Sequence, residues 1–88
     1  MIIKIEKSFE RDVAKINDKI ILSKLSAVIT NISAVSSQKE IPNLKKLSGN
    51  QSYYRIKINN YRIGISITGN EIIFIRFLHR KEVYRYFP

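Results

Sequence analysis

The sequence contains no cysteine, a single histidine and only seven acidic residues. Without thiols there are no disulfides and no thiolate metal sites. One histidine and few carboxylates leave too few donors for a dedicated metal centre, and nothing calls for a cofactor. No run reaches the roughly 20 apolar residues that span a bilayer. The opening MIIKIEKSFERD is broken by Lys4 and Glu6, which excludes the apolar core of a secretory signal. Internal repeats, low-complexity tracts and long linkers are also missing. A cytoplasmic protein is expected, with a single domain over residues 1–88 and no membrane partner.

What is present is apolar and basic. Hydrophobic residues make up 44% of the 88, enough for a core in a chain that buries about 60–65% of its unfolded surface. Sixteen lysines and arginines give a net charge of +9, and the pI is near 10.1. Such a domain repels itself, and a polyanion relieves that repulsion. Small domains usually stay soluble on a net charge of about 2–8, so solubility alone does not call for this excess.

Met1 to Glu6 alternates around Ile3 and Ile5, the pattern of a short strand. Ser8 is positioned to cap a helix from Phe9, with Phe9, Val13 and Ile16 on one face. Asn17-Asp18 breaks it, and Asp18 can cap a second helix whose stripe is Ile21, Leu25, Val28, Ile29 and Ile32. Pro42 and Gly49 punctuate a polar connection in which Ile41, Leu44 and Leu47 return to the core. The second half then carries three strand-like runs, split at Asn59-Asn60 and at Thr68-Gly69-Asn70.

A two-residue turn at Asn59-Asn60 sets a register. Ile58 opposes Tyr61, Ile56 opposes Ile63 and Tyr54 opposes Ile65 on an apolar face, while Lys57 meets Arg62 and Arg55 meets Gly64 on the other. Directly opposed like charges destabilise a sheet. No acid lies between Tyr53 and Asn70 to interleave them. A three-residue second loop, Thr68 to Asn70, would set Arg62 against Arg76, with Ile63, Ile65 and Ile67 against Phe77, Ile75 and Ile73. A two-residue loop would put Arg76 among apolar side chains, so the longer loop is expected. The basic stripe passes Gly64, where a ligand backbone could approach closely.

The chain continues into HRKEVYRYFP. A helical turn over Arg80 to Tyr86 would put Arg80 and Tyr84 on one face, beside His79 at the end of the stripe. Arg55, Lys57, Arg62, His79, Arg80 and Tyr84 would then combine phosphate-holding cations, a stacking ring and an imidazole.

The run LSGNQSYYRIKINNYRIGISI, followed by HRKEVY, resembles the RelE/ParE superfamily of bacterial toxins from toxin–antitoxin modules. The resemblance covers nearly the whole chain. It implies an α+β fold of order β-α-α-β-β-β: two N-terminal helices on a mainly antiparallel twisted sheet, with a short C-terminal helical turn. For the RelE-like branch it implies a metal-independent endoribonuclease that cuts mRNA in the ribosomal A site and is held inactive by an antitoxin, whose complex can bind operator DNA. For the ParE-like branch it implies inhibition of DNA gyrase without nuclease activity. A basic module that only binds RNA or ribosomes is a third possibility. The charge points to an acidic antitoxin, partly disordered when free.

Carried onto this sequence, the RelE pattern falls on Arg55 and Lys57 in YRIKI, Arg62 in NYRI, His79 and Arg80 where relatives read G-H-R, and Tyr84 in EVY. Leu78 stands where glycine is common, and no strand glutamate is available as a base. The expected catalytic set is Lys57, Arg62, His79, Arg80 and Tyr84. Arg62 and Arg80 would stabilise the phosphorane, and Tyr84 is either base or stacking platform. Arg55, Lys57, Arg76, Lys81 and Arg85 are the expected RNA contacts.

Overall fold

A computed structural model describes residues 1–47 and 52–88. Gly49, taken above as a chain breaker, lies outside them. The elements are β1 (Ile2–Ile5), α1 (Lys7–Ala14), α2 (Lys19–Ala34), a 3₁₀ turn (Gln38–Glu40), β2 (Leu44–Lys46), β3 (Tyr53–Ile58), β4 (Tyr61–Thr68), β5 (Glu71–His79) and α3 (Val83–Tyr86). One sheet runs β1-β5-β4-β3-β2; β1 is parallel to β5 and the other pairs are antiparallel. This is the expected α+β architecture with one strand more. The addition is β2, where Leu44 pairs with Ile56 and Lys45 with Arg55. Three residues are too few for an alternation pattern to declare a strand. No helix among the described residues is long and apolar enough to cross a membrane.

One face of the sheet carries the core. Ile56, Ile58, Ile63, Ile65, Ile67, Ile72, Phe74 and Phe77 are buried against Phe9 of α1 and Ile21, Leu25 and Ile32 of α2. Phe9 meets Phe74 edge-on at 5.4 Å between ring centres, a favoured aromatic geometry. Asp18 caps α2 as expected, its Oδ1 accepting from Ile20 N at 2.9 Å and Ile21 N at 3.2 Å. Ser8 does not cap α1. That helix starts at Lys7 after Glu6, with no side-chain cap, and Ser8 Oγ donates instead to the carbonyl of Ile75 at 2.6 Å. The reason lies in the sheet edge. β1 ends opposite Phe74, so beyond it the edge of β5 that faces away from β4 has no strand partner among the described residues. α1 substitutes: Ser8 donates to Ile75, and the buried Asp12 carboxylate accepts from Phe77 N at 2.9 Å.

The β3–β4 register is the expected one in every pair named above, with Asn59 in the left-handed region at φ 50°. The β4–β5 register is not. The strands meet through a two-residue turn, with Thr68 opposite Glu71, Ile67 opposite Ile72 and Ile65 opposite Phe74; then a bulge between Gly64 and Ile65 shifts the pairing, so that Gly64 faces Arg76, Ile63 faces Phe77 and Arg62 faces Leu78. The longer loop, the Arg62–Arg76 opposition and the pairing of Ile65 and Ile67 with Ile75 and Ile73 are therefore corrected, while Ile63 faces Phe77 as expected. The short loop would have placed Arg76 on the core face, and the extra residue of the bulge returns it to the other one.

Candidate functional site

The face of the sheet away from α1 and α2 is where the cations gather. Register sets them in two rows. Lys45, Arg55, Gly64 and Arg76 are cross-strand neighbours on β2, β3, β4 and β5; Lys57 and Arg62 follow two residues along, with Leu78 next. Lys45, Arg55, Lys57 and Arg62 have no carboxylate partner among the described residues, where the ion pairs are Lys4–Glu71 and Arg76–Asp12. The two arginines are anchored by loops. Arg55 Nη1 donates to the carbonyl of Asn43 at 2.9 Å, and Arg62 Nη1 to those of Asn59 at 3.0 Å and Tyr61 at 2.9 Å. The Nε of Arg55 is buried with no hydrogen-bond partner among the described residues, an unmet donor.

The C-terminal residues lie on this face. Val83 and Phe87 are buried but stand apart from the core between helices and sheet. The Phe87 ring rests on Gly64 and meets Tyr53 edge-on at 5.5 Å. Gly64 is therefore covered by the chain's own phenylalanine, not open to a ligand backbone. Tyr84, 61% exposed, shares a concavity of about 460 Å³ with Lys45, Lys46, Leu47 and Phe87. The two lysines fall in the segment between Pro42 and Gly49 that reads as a polar connection. Their signal was Leu44 and Leu47 bracketing a Lys-Lys pair, which becomes legible once β2 is recognised.

Arg80 and Tyr84 do not share a helical face, because residues 80–82 form a turn and α3 starts only at Val83. Arg80 instead packs its backbone on the β3–β4 turn, its N–H donating to the Asn60 carbonyl at 2.7 Å. Arg80 is thus tied to the same turn as Arg62. Lys81 and Arg85 are exposed, and the Arg85 guanidinium lies 5.9 Å from the Tyr86 ring centre.

Two expected members lie elsewhere. His79 is the cross-strand partner of Tyr61, which packs against the core, so its ring sits on the helix side of the sheet, opposite to Arg62. It lies edge-on to Tyr61 at 5.5 Å and accepts at Nδ1 from Lys81 N at 3.2 Å. The alternation of a strand separates His79 from the face that carries Arg55, Lys57 and Arg62. Arg76 starts on that face, but its Nε and Nη2 reach Asp12 at 2.7 and 3.1 Å. Hydrogen bonding to Asp12 holds its pKa above the usual arginine value against the opposing effect of burial, with the charges of Asp12 and Glu82 adding to the rise. Arg76, expected among the RNA contacts, is thus already paired with a carboxylate of the same chain.

Comparison with known proteins bears on this arrangement. Residues 3–84 match the family model described as ParE toxin of type II toxin-antitoxin system, parDE. Toxin RelE3 of Methanocaldococcus jannaschii is 58% identical over 45 residues, 51% of each chain; the chain spans about half the length of that curated relative. The toxin in the RelB-RelE antitoxin-toxin complex from Methanococcus jannaschii superposes with a TM-score of 0.83 at 36% identity, over 97% of this chain and 99% of that one. The YoeB dimer from Staphylococcus aureus shares the fold, with a TM-score of 0.70 at 19% identity over 90% and 95% of the two chains. A match over residues 3–84, joined to a 36%-identical toxin superposed along its length, shows that the chain belongs to the RelE/ParE superfamily of type II toxin–antitoxin toxins.

Proposed function

We propose that the protein is a RelE-like endoribonuclease that cuts mRNA on the ribosome without a metal, and that the chemistry takes place on the sheet face bearing Arg55, Lys57, Arg62 and Tyr84. The observation that carries this reading is the acid-free row of cations beside an exposed tyrosine. RNA supplies its own nucleophile. The 2′-oxygen forms a bond to the adjacent phosphorus, the bond from phosphorus to the 5′-oxygen breaks, and the products are a 2′,3′-cyclic phosphate and a 5′-hydroxyl. One group accepts the 2′-OH proton and another returns a proton to the leaving oxygen. Arg62 and Arg80, both tied to the β3–β4 turn, stabilise the charge that builds on the phosphorane. Arg55 and Lys45 hold phosphate, and Lys81 and Arg85 make outer RNA contacts. The proton transfers are assigned to Lys57 and Tyr84, and Tyr84 also offers a stacking surface. His79 takes no part.

The test is codon-dependent cleavage of mRNA on translating ribosomes. Arg62→Ala and Tyr84→Phe should each lower the rate by about 10²–10³, the usual effect of losing one preorganised donor. Undiminished cleavage in both variants refutes the assignment. A second reading is favoured by the ParE description of the matching family model: a gyrase inhibitor that cuts nothing. Inhibited supercoiling by purified gyrase, with intact mRNA on ribosomes, would establish it. Ribosome binding with neither effect would identify a non-catalytic module.

The partner follows from charge and from the RelB-RelE relative, which is an antitoxin–toxin complex. A cognate antitoxin, acidic and partly disordered when free, lies over the basic face or displaces α3, and its complex binds operator DNA through the antitoxin. Its apolar anchors fit the groove of about 520 Å³ between α1 and α2, lined by Ile5, Phe9, Val13, Leu22, Leu25 and Ile29. A co-purified antitoxin that left Arg55, Lys57, Arg62 and Tyr84 open and cleavage intact would contradict this mode of neutralisation.

A further inference from the structure

A separate concavity of about 510 Å³ opens where α2 passes the β3–β4 turn, lined by Lys24, Val28, Asn43, Lys57 and Asn59 among others, none of them acidic. Neither lysine has a carboxylate partner among the described residues. Lys24 is held in place, its Nζ donating to Asn59 Oδ1 at 3.0 Å; two of its three donors stay free. The rim is braced. Asn43 and Asn59 both adopt left-handed backbone, at φ 61° and 50°, and their carbonyls are the ones that anchor Arg55 and Arg62. Lys57 belongs to both surfaces: it pairs across strands with Arg62 on the sheet face, and it lines this groove. The positive track therefore continues from the sheet face, round the turn, onto α2.

We propose that this groove is a second RNA backbone contact, in which the strand that crosses the sheet face runs on past Lys57 and places a phosphate against Lys24. The inference rests on the RNA reading above and lengthens its footprint. Continuity through Lys57 favours the same strand over an unrelated acidic peptide. Asn59 gives the contact its geometry by fixing the Lys24 ammonium at the rim.

The test is a salt titration of binding, by fluorescence anisotropy, to a labelled trinucleotide and to an RNA of about 12 nucleotides. For the longer RNA, Lys24→Gln should flatten the slope of log K against log salt by about 0.7, the value for one phosphate contact on a single strand. The trinucleotide slope should not change. Lys7→Gln, on the first turn of α1 and outside the groove, should match the parent with both. An unchanged slope for Lys24→Gln with the longer RNA, while the parent binds with a steep slope, overturns the groove and leaves the RNA reading standing. A parent with no salt-dependent binding to either RNA overturns both. Weakened binding of Lys24→Gln to polyglutamate, with RNA binding unchanged, makes the groove a protein-docking surface and also overturns the inference.

Discussion

Gly64 and Phe87 allow a test of how the C-terminal turn is held. A β-carbon on Gly64 would lie 2.7, 2.8 and 2.9 Å from Cγ, Cδ2 and Cδ1 of the Phe87 ring, closer than packed carbons come, so alanine must push the ring away. The Gly64 backbone itself accepts alanine, since its φ lies outside the left-handed region. Overpacking of this kind costs about 1–3 kcal/mol, and we expect about 2. Phe87 is 3% exposed. Truncating a buried phenylalanine costs about 3–5 kcal/mol, and a value near 3 is expected because Phe87 packs on one sheet face near the chain's end, where neighbours can collapse. Without the ring, the alanine at position 64 has nothing to strike. In the Phe87→Ala background Gly64→Ala should therefore cost close to zero, a coupling of about 2 kcal/mol in the double-mutant cycle. Urea unfolding followed by far-UV circular dichroism gives each corner, with equal m-values as the check on two-state behaviour. A domain of this size has about 4–13 kcal/mol to lose, so every corner remains folded enough to measure unless the parent lies at the bottom of that range. Equal costs of Gly64→Ala in both backgrounds, within about 0.5 kcal/mol, would refute the packing argument. Because α3 carries Tyr84, Gly64→Ala should also slow cleavage at temperatures where the variant stays folded.

Asp12→Ala strands the Arg76 guanidinium and the Phe77 N–H together; removing one partner of a fully buried pair costs about 3–5 kcal/mol, and the partial exposure of Arg76 sets the expected loss below that, readable as a lower urea midpoint, whereas Asp12→Asn keeps an acceptor and should lose less. The Ser36 N–H, donating to Glu40 Oε2 at 2.8 Å, holds the Glu40 pKa below its ordinary 4.5. The unfolded chain then binds that proton more readily, so the Glu40 contribution is complete above pH 4.5 and fades as pH falls through the folded value. Glu40→Gln should accordingly be less stable than the parent at neutral pH and converge with it on acidification; a gap in urea midpoints that stays constant with pH would contradict the assignment. His79→Gln should leave ribosomal cleavage near the parental rate, and a loss as large as that of Arg62→Ala would return the histidine to the chemistry.

What could be read from the sequence was local. Asp18 before an apolar stripe announced α2, and Asn59-Asn60 between alternating runs announced a hairpin together with the pairing of Lys57 with Arg62 and of Arg55 with Gly64. What could not be read depended on contacts between distant residues. The β4–β5 register turned on a bulge, and no residue type at Ile65 or Ile75 signals one. Ser8 looked like a cap because serine before an apolar residue usually is one, yet its hydroxyl answers an unpaired carbonyl 67 residues away. Arg76 looked free because Asp12, its partner, lies 64 residues earlier. The six-residue cluster divides by strand alternation, which puts His79 and Arg62 on opposite faces, and the pairing of His79 with Tyr61 already followed from setting Ile63 opposite Phe77.

The covered glycine also bears on how an antitoxin could act. Displacing α3 would forfeit the burial of Phe87, worth about 3 kcal/mol by the reasoning above, and of Val83, 0% exposed, worth about 1.5–3 kcal/mol. Together these amount to roughly a thousandfold in affinity or more, unless the incoming segment carries an aromatic residue to set on Gly64 in place of Phe87. Lying over Lys45, Arg55, Lys57 and Arg62 needs no such replacement, since those cations lack carboxylate partners among the described residues, and acidic side chains would meet them with α3 still in place. Of the two modes of neutralisation, covering the face is therefore the less demanding. It predicts that an antitoxin segment without an aromatic residue still blocks cleavage, and that Phe87→Ala weakens inhibition little, whereas an antitoxin that works by displacement should bind Phe87→Ala more tightly than the parent.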